Sequence, residues 1–189
     1  MSAKQTRIMC AILTNKYCWQ VDKMVVKNST LCYLRKNGKY LMLLRNKKKN
    51  DINGGKWIGV GGHNELGESP EDCIRREIYE ETGYVVDMLE FRGILTFVYG
   101  GDITEYIYLF TSEKFHGDEI ECCEGELHWI DADKIQELNL WEGDRIFHKL
   151  LLERDKFFSL KLVYDDNDIL LEAVLDGDKD LLSVQEEKR

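Results

Sequence analysis

Residues 62–83 read GHNELGESPEDCIRREIYEETG. Ser69-Pro70-Glu71-Asp72 has the features of a helix start. Ser69 can cap the first turn, Pro70 fits the first helical position, and two acids suit the positive end of the dipole. Gly83 is a natural stop, because glycine takes the left-handed conformation that closes a last turn. The predicted helix therefore ends at Thr82. At about 100° per residue, Glu77, Glu80 and Glu81 share an arc of roughly 100° on it. Ile74 and Ile78 form the adjoining stripe that would dock the helix on a sheet. Glu68 stands in the loop before the helix. Like charges at i,i+4 destabilise a helix by roughly 0.2–0.5 kcal/mol per pair, so three together need water or a cation. Alone, an ExxEE helix is most simply a solvated acidic face. Hard oxygen ligands on one rigid face also suit Mg²⁺ or Mn²⁺, which keep several waters and take phosphate oxygens as further ligands. Such an ion screens a phosphate's charge, polarises its phosphorus–oxygen bonds and lowers the pKa of a bound water. Arg76, inside the cluster, is placed to hold a carboxylate such as Glu68 by a bidentate pair.

Upstream, Leu31-Cys32-Tyr33-Leu34 reads as a strand, Asn37-Gly38 as a hairpin turn, and residues 40–44 as the partner strand. Lys47-Lys48-Lys49-Asn50-Asp51 is a polar loop ended by Asn53-Gly54-Gly55, and residues 56–62 form a short glycine-rich strand. Downstream, strands are predicted near 85–99 and 104–112, turning at Gly100-Gly101-Asp102, and another ends at His128-Trp129-Ile130. A helix over roughly 143–154 carries Ile146, Phe147, Leu150 and Leu151 at helical spacing. Two last strands lie near 157–164 and 168–175. This order of strands with two main helices predicts an α/β (α+β) sandwich. One domain is expected over 29–176. Before it lies an N-terminal extension, 1–28, expected to lack order or, up to residue 23, to stand upstream of a native start at Met24. A charged tail, 177–189, follows.

The 189 residues carry a formal net charge of −9. That argues against a generic nucleic-acid binder, which would present a basic face. An acidic protein that handles phosphates implies a divalent cation between the two. Six cysteines (Cys10, Cys18, Cys32, Cys73, Cys122 and Cys123) show no CxxC pair, as expected of free thiols in a reducing cytosol. The apolar run Met9–Leu13 is too short for a secretory signal or a membrane span. The expected location is cytoplasmic, and the expected assembly a monomer or homodimer.

The segment from Gly62 resembles the Nudix box, G-x5-E-x7-R-E-U-x-E-E-x-G-U, where U is a bulky aliphatic. Gly62, Glu68, Arg76, Glu77, Ile78, Glu80, Glu81 and Gly83 all match; Tyr84 departs as an aromatic in the last place. With seven fixed letters at roughly 6% usage each, a chance match in this chain is on the order of 10⁻⁶. The likeness extends over roughly 29–176. Gly55-Lys56-Trp57, Trp129 and the stretch 140–152 look like the MutT-type branch that hydrolyses oxidised purine nucleoside triphosphates (8-oxo-dGTP diphosphatases). The resemblance implies an α/β/α sandwich with a mixed central sheet. It also implies Mg²⁺ (Mn²⁺ as a substitute) bound chiefly through Glu77 and Glu81, with Glu80 assisting. A further glutamate approaches the metal or serves as base; Glu124 matches it, with Glu121 and Glu126 as neighbours. On the substrate side Trp141 matches a tryptophan that stacks on the purine, and Asp144 one of two aspartates that read the base edge. Gly143 replaces the other aspartate, and Ile58 a base-contacting asparagine. Gly62, Ile58, Trp141 and Asp144 are thus the expected substrate positions. The expected catalytic set is Glu68, Arg76, Glu77, Glu80, Glu81 and Glu124. The chemistry implied is hydrolysis of a nucleoside triphosphate to the monophosphate and pyrophosphate. Nucleotide sugars, dinucleoside polyphosphates and RNA 5′ ends remain as alternative substrates, and a non-catalytic nucleotide sensor as a remote one.

Overall fold

The structure is a computed structural model that describes residues 25–49 and 51–183. The reading of Met24 and of residues 1–23 lies outside them. Among the described residues there are nine strands and two α-helices. The strands are β1 (Val25–Lys36), β2 (Lys39–Leu44), β3 (Trp57–Ile58), β4 (Val85–Tyr99), β5 (Ile103–His116), β6 (Glu126–Asp131), β7 (Phe158–Tyr164), β8 (Leu170–Leu175) and β9 (Lys179–Asp180). The helices are α1 (Pro70–Thr82) and α2 (Glu142–Glu153). A 3-10 turn over Ala132–Glu137 is an addition to the expected elements. Strand β1 begins four residues before the expected boundary at 29. Strand β9 pairs with β8 beyond the expected end at 176.

The expected hairpin is present but short. Asn37 (φ 54°) and Gly38 (φ 74°) form the turn, and only Arg35–Tyr40 and Lys36–Lys39 pair across it. Beyond that the strands part. Strand β1 runs parallel to β5 from Val25–Ile103 to Leu34–Ser112. Strand β2 is flanked by β3 and β6, both antiparallel. The larger sheet, β1-β5-β4-β7-β8-β9, is mixed: β1–β5 and β4–β7 are parallel and the rest antiparallel. The expected strand over 56–62 is reduced to Trp57–Ile58. Val60 and Gly62 then run along β1 by isolated contacts, a reciprocal pair between Cys32 and Val60 (2.7 and 3.1 Å) and Thr30 N–H to Gly62 O (2.8 Å).

Alternation along the strands gives the sheet two apolar faces. Tyr33, Tyr40, Met42 and Leu109 face a cluster that holds Ile146, Phe147, Leu150 and Leu151 of α2. Cys32, Leu34, Leu41 and Phe110 face a second cluster that holds Ile74 and Ile78 of α1. The helices therefore cover opposite faces, which is the expected three-layer arrangement. Helix α1 starts and stops as its sequence predicts. Ser69 and Asp72 form a reciprocal capping box, and Gly83 closes the helix at φ 77°. No described helix is long and apolar enough to cross a membrane.

Candidate active site

The docking of α1 sorts its three glutamates. If Glu77 is set at 0° on the helix wheel, Glu81 falls at about 40°, beside Ile74 at about 60°, while Glu80 falls at about −60°. Burial follows that order. Glu81 is 5% exposed, Glu77 is mostly covered, and the Glu80 side chain is 56% exposed. The spacing placed the three on one face; the apolar stripe draws Glu81 under the sheet edge and leaves Glu80 in solvent.

Glu81 Oε2 accepts from the Gly61 N–H at 2.9 Å. Its carboxyl is pushed up to about 8, first by burial and then by the charges of Glu124 and Glu77; the Gly61 bond and Arg45 oppose this. Glu77 lies directly beneath Gly62. A Cβ on Gly62 would stand 2.5 Å from Glu77 Cδ and 2.7 Å from Oε2, so the box glycine leaves the room that the carboxylate fills. Arg76 ties the set together. Its Nε donates to Glu68 Oε1 (2.7 Å) and one terminal nitrogen to Glu68 Oε2 (2.9 Å), which is the expected bidentate pair. The other terminal nitrogen donates to Glu77 (2.7 Å) and Glu80 (3.2 Å). The Arg76 bonds to Glu68, with the Glu65 N–H, hold Glu68 down at about 2.

Glu124 arrives from the segment before β6. Arg45, 7% exposed, donates to Glu124 and, at 2.7 Å, to Asp51 Oδ2. The neighbouring glutamates turn elsewhere: Glu121 pairs with Lys47 (2.7 Å) and Glu126 with Asn46 (2.7 Å). Glu124 is thus the one of the three that lines the cleft. Lys47, read from sequence as part of a solvated loop, is engaged by Glu121 and the Cys122 carbonyl; Lys48 reaches the cleft, 3.5 Å from Glu124.

One cleft of about 470 Å³ joins these groups to the expected base positions. Gly62, Arg76, Glu77 and Glu124 line it together with Ile58, Trp141 and Asp144. Glu68, Glu80 and Glu81 do not line it: Glu68 and Glu80 hold Arg76, and Glu81 lies beneath. Trp141 is 5% exposed. Its Nε1 donates to Asn53 Oδ1 at 2.8 Å, its edges meet Phe97 and Tyr164, and the Lys56 ammonium stands 4.2 Å from the ring centre. Asp144 follows in the first turn of α2, its carboxyl pushed up to about 7 by burial against the opposing charges of Lys56 and Arg145. At the glycine between them, the backbone N–H of Gly143 donates to Tyr164 Oη (2.7 Å). A Cβ there would lie 2.5 Å from Leu162 Cδ1 and 2.7 Å from Tyr164 Oη. The space of a second aspartate is therefore filled from β7.

Sequence reasoning missed Arg45, Asp51, Asn53, Phe97 and Tyr164. Asp51 and Asn53 lie in or at the end of a segment that reads as a plain polar loop, and Arg45, just before it, falls in no predicted element. Only the tertiary fold shows that Asp51 Oδ1 also accepts the Asn53 N–H (3.0 Å), making a continuous polar chain Glu124–Arg45–Asp51–Asn53–Trp141.

The NUDIX domain profile matches residues 26–151, two thirds of the chain. The chain belongs to the Nudix hydrolase family. The oxidized purine nucleoside triphosphate hydrolase of Danio rerio is 36% identical over 104 residues, 54% of this chain and 66% of that protein. The chain therefore matches slightly less than two thirds of that relative's length. The Nudix hydrolase YvcI of Bacillus subtilis is 33% identical over 61% of this chain and 72% of its own. A GDP-mannose pyrophosphatase of Yersinia enterocolitica is 35% identical over 47% of each. Among solved structures, the MutT protein of Bacillus halodurans superposes with a TM-score of 0.72 at 28% identity, covering 81% of this chain and 99% of that one.

Proposed function

We propose that this Nudix enzyme hydrolyses a purine nucleoside triphosphate to the monophosphate and pyrophosphate, dependent on Mg²⁺, and that an oxidised purine is the preferred base. The observation that carries the reading is the single cleft with Glu77 and Glu124 among its lining groups and Trp141 and Asp144 among the others. An acidic group that handles a phosphate chain and an aromatic wall with one carboxyl are what a nucleotide requires of one site.

The donor set fits a hard cation. No three described His, Cys, Asp or Glu side chains enclose a common point. Mg²⁺, though, is held by one or two carboxylates plus substrate phosphates rather than by a protein cage. Glu77 and Glu81 would hold it, with Glu80 and Glu124 nearby. When bound, it supplies charge neutralisation and polarisation of the phosphate chain. The protein's own groups do the rest. Arg76 fixes Glu77 and Glu68 in one plane of hydrogen bonds, and the Gly61 N–H orients Glu81. Glu124, oriented by Arg45 at the cleft wall, takes the proton of the attacking water. Glu80, exposed and turned to Arg76, is the weaker candidate for that step. A location in the cytoplasm accords with the reading.

The test is formation of nucleoside monophosphate, with pyrophosphate and phosphate release followed in parallel, from 8-oxo-dGTP, 2-hydroxy-dATP, ordinary dNTPs and NTPs, ADP-ribose and diadenosine polyphosphates with Mg²⁺, with Glu81→Gln as control. Preference for an oxidised purine triphosphate, lost in the control, supports the proposal. A preference for a nucleotide sugar would instead agree with the likeness to GDP-mannose pyrophosphatase and with the changed positions Ile58 and Gly143.

A further inference from the structure

Ile58 offers only hydrocarbon to the cleft, and Gly143 offers no side chain. Of the polar side chains beside Trp141, Asn53 has not been given a role, and its backbone and its amide oxygen are both held. Its N–H donates to Asp51 Oδ1 (3.0 Å), and its carbonyl accepts the Lys56 N–H (2.9 Å). The Arg45 and Lys56 backbones pair at the loop's neck (3.0 Å), and Asn139 Nδ2 donates to Gly55 O (2.9 Å). Indole Nε1–H is a donor only, so the amide atom 2.8 Å from it is the oxygen. The Asn53 Nδ2 therefore turns away from Trp141, and among the described residues it has no acceptor. Asn53 lines the cleft with Trp141, Phe97 and Asp144.

We propose that Asn53 is a base-reading residue, its Nδ2 donating to a carbonyl acceptor on the edge of a purine bound at Trp141, so that the cleft selects 6-oxo over 6-amino purines. This rests on the nucleotide reading above. The amide comes from the loop before β3 rather than from position 58, and Arg45 and Asp51 hold it ready. A donor fixed before binding loses little freedom on use, which strengthens discrimination.

The test is calorimetric binding, in Mg²⁺ at fixed pH, of the non-hydrolysable α,β-methylene triphosphates of inosine and adenosine. Their bases differ in presenting a carbonyl or an amino group at C6. Asn53→Asp keeps an oxygen toward Trp141 Nε1 and turns the outward donor into an acceptor. Its added charge weakens both ligands alike, so the ratio isolates the base. The wild type should bind the inosine compound about 10-fold more tightly, the value of one hydrogen bond. Asn53→Asp should erase or invert that ratio, and Asn53→Ala should lower the inosine affinity while leaving the adenosine affinity within about 3-fold. An unchanged ratio in folded Asn53→Asp, judged by near-ultraviolet circular dichroism, overturns the role of Asn53 and leaves the nucleotide reading intact. Binding of neither compound, with no turnover of any purine triphosphate by the wild type, overturns both.

Discussion

Gly62→Ala separates the placement of the Glu77 carboxylate, proposed above to hold the metal, from the stability of the fold. The new Cβ would stand 2.5 Å from Glu77 Cδ, where ordinary contact begins at 3.4 Å, so the carboxylate must retreat by about 0.9 Å. Gly62 does not have a positive φ, so alanine adds no backbone strain. The Arg76–Glu77 pair is partly exposed, and loosening it costs about 1 kcal/mol or less. In a chain of this length that lowers Tm by about 2–4 °C. A misplacement near 1 Å in a catalytic group, by contrast, costs about 10²-fold in rate. Pyrophosphate release should therefore show kcat/KM down about 100-fold, while thermal unfolding followed by circular dichroism barely moves. Pairing the change with Glu77→Asp, which shortens the side chain by one methylene, adds a second check. The double variant should be no slower than Glu77→Asp alone, because the collision has been removed. A Gly62→Ala enzyme within 3-fold of wild type, or fully additive losses in the double variant, would refute the idea that this glycine exists to seat Glu77.

Other outcomes follow from the same geometry. With its carboxyl near 8, Glu81 is protonated at pH 7 without a cation, so Mg²⁺ binding should release close to one proton there and weaken as pH falls below 8; calorimetry in buffers of different ionisation enthalpy measures this, and Glu81→Gln should abolish the release. His148 is 2% exposed and held down near 3 by burial, so its folded value lies below the unfolded 6.5. Its contribution is complete above pH 6.5 and falls by about 1.4 kcal/mol per unit below that. Urea unfolding of His148→Phe should lack that slope between pH 6 and 5. Asp144 has the opposite sign: raised to about 7, it destabilises the fold as pH climbs from 4 through 7. Its place on the cleft wall lets solvent reduce the effect to about 1–2 kcal/mol, which Asp144→Asn should recover in unfolding at pH 8. Tyr164→Phe should cost about 1–3 kcal/mol, seen as a lower urea midpoint, by stripping a buried helix N–H of its acceptor.

The local signals were readable because their causes are local. A serine, a proline and a glycine bound α1, and the spacing that groups the box glutamates also pairs Glu68 with Arg76. What escaped depends on partners distant in sequence. The parallel pairing of β1 with β5 joins residues about 78 positions apart and leaves no mark in periodicity. The unequal burial of Glu77, Glu80 and Glu81 needed the docking angle of α1. Arg45 and Asn53 look like any polar loop residues until Glu124 and Trp141 are brought against them. In sequence Gly143 is only a replaced aspartate, whereas the fold shows an exchange: its N–H and its missing side chain are both answered by Tyr164.

That exchange constrains how the lineage can change. An aspartate introduced at position 143 alone would collide with Leu162 and Tyr164 and strand the tyrosine hydroxyl. A smaller residue introduced at 164 alone would leave the α2 N–H bare. Each single step is a loss, and only the two together offer a carboxylate at 143 beside Asp144, so descendants of this chain keep Asp144 as the one α2 carboxyl on the cleft wall unless both positions move at once.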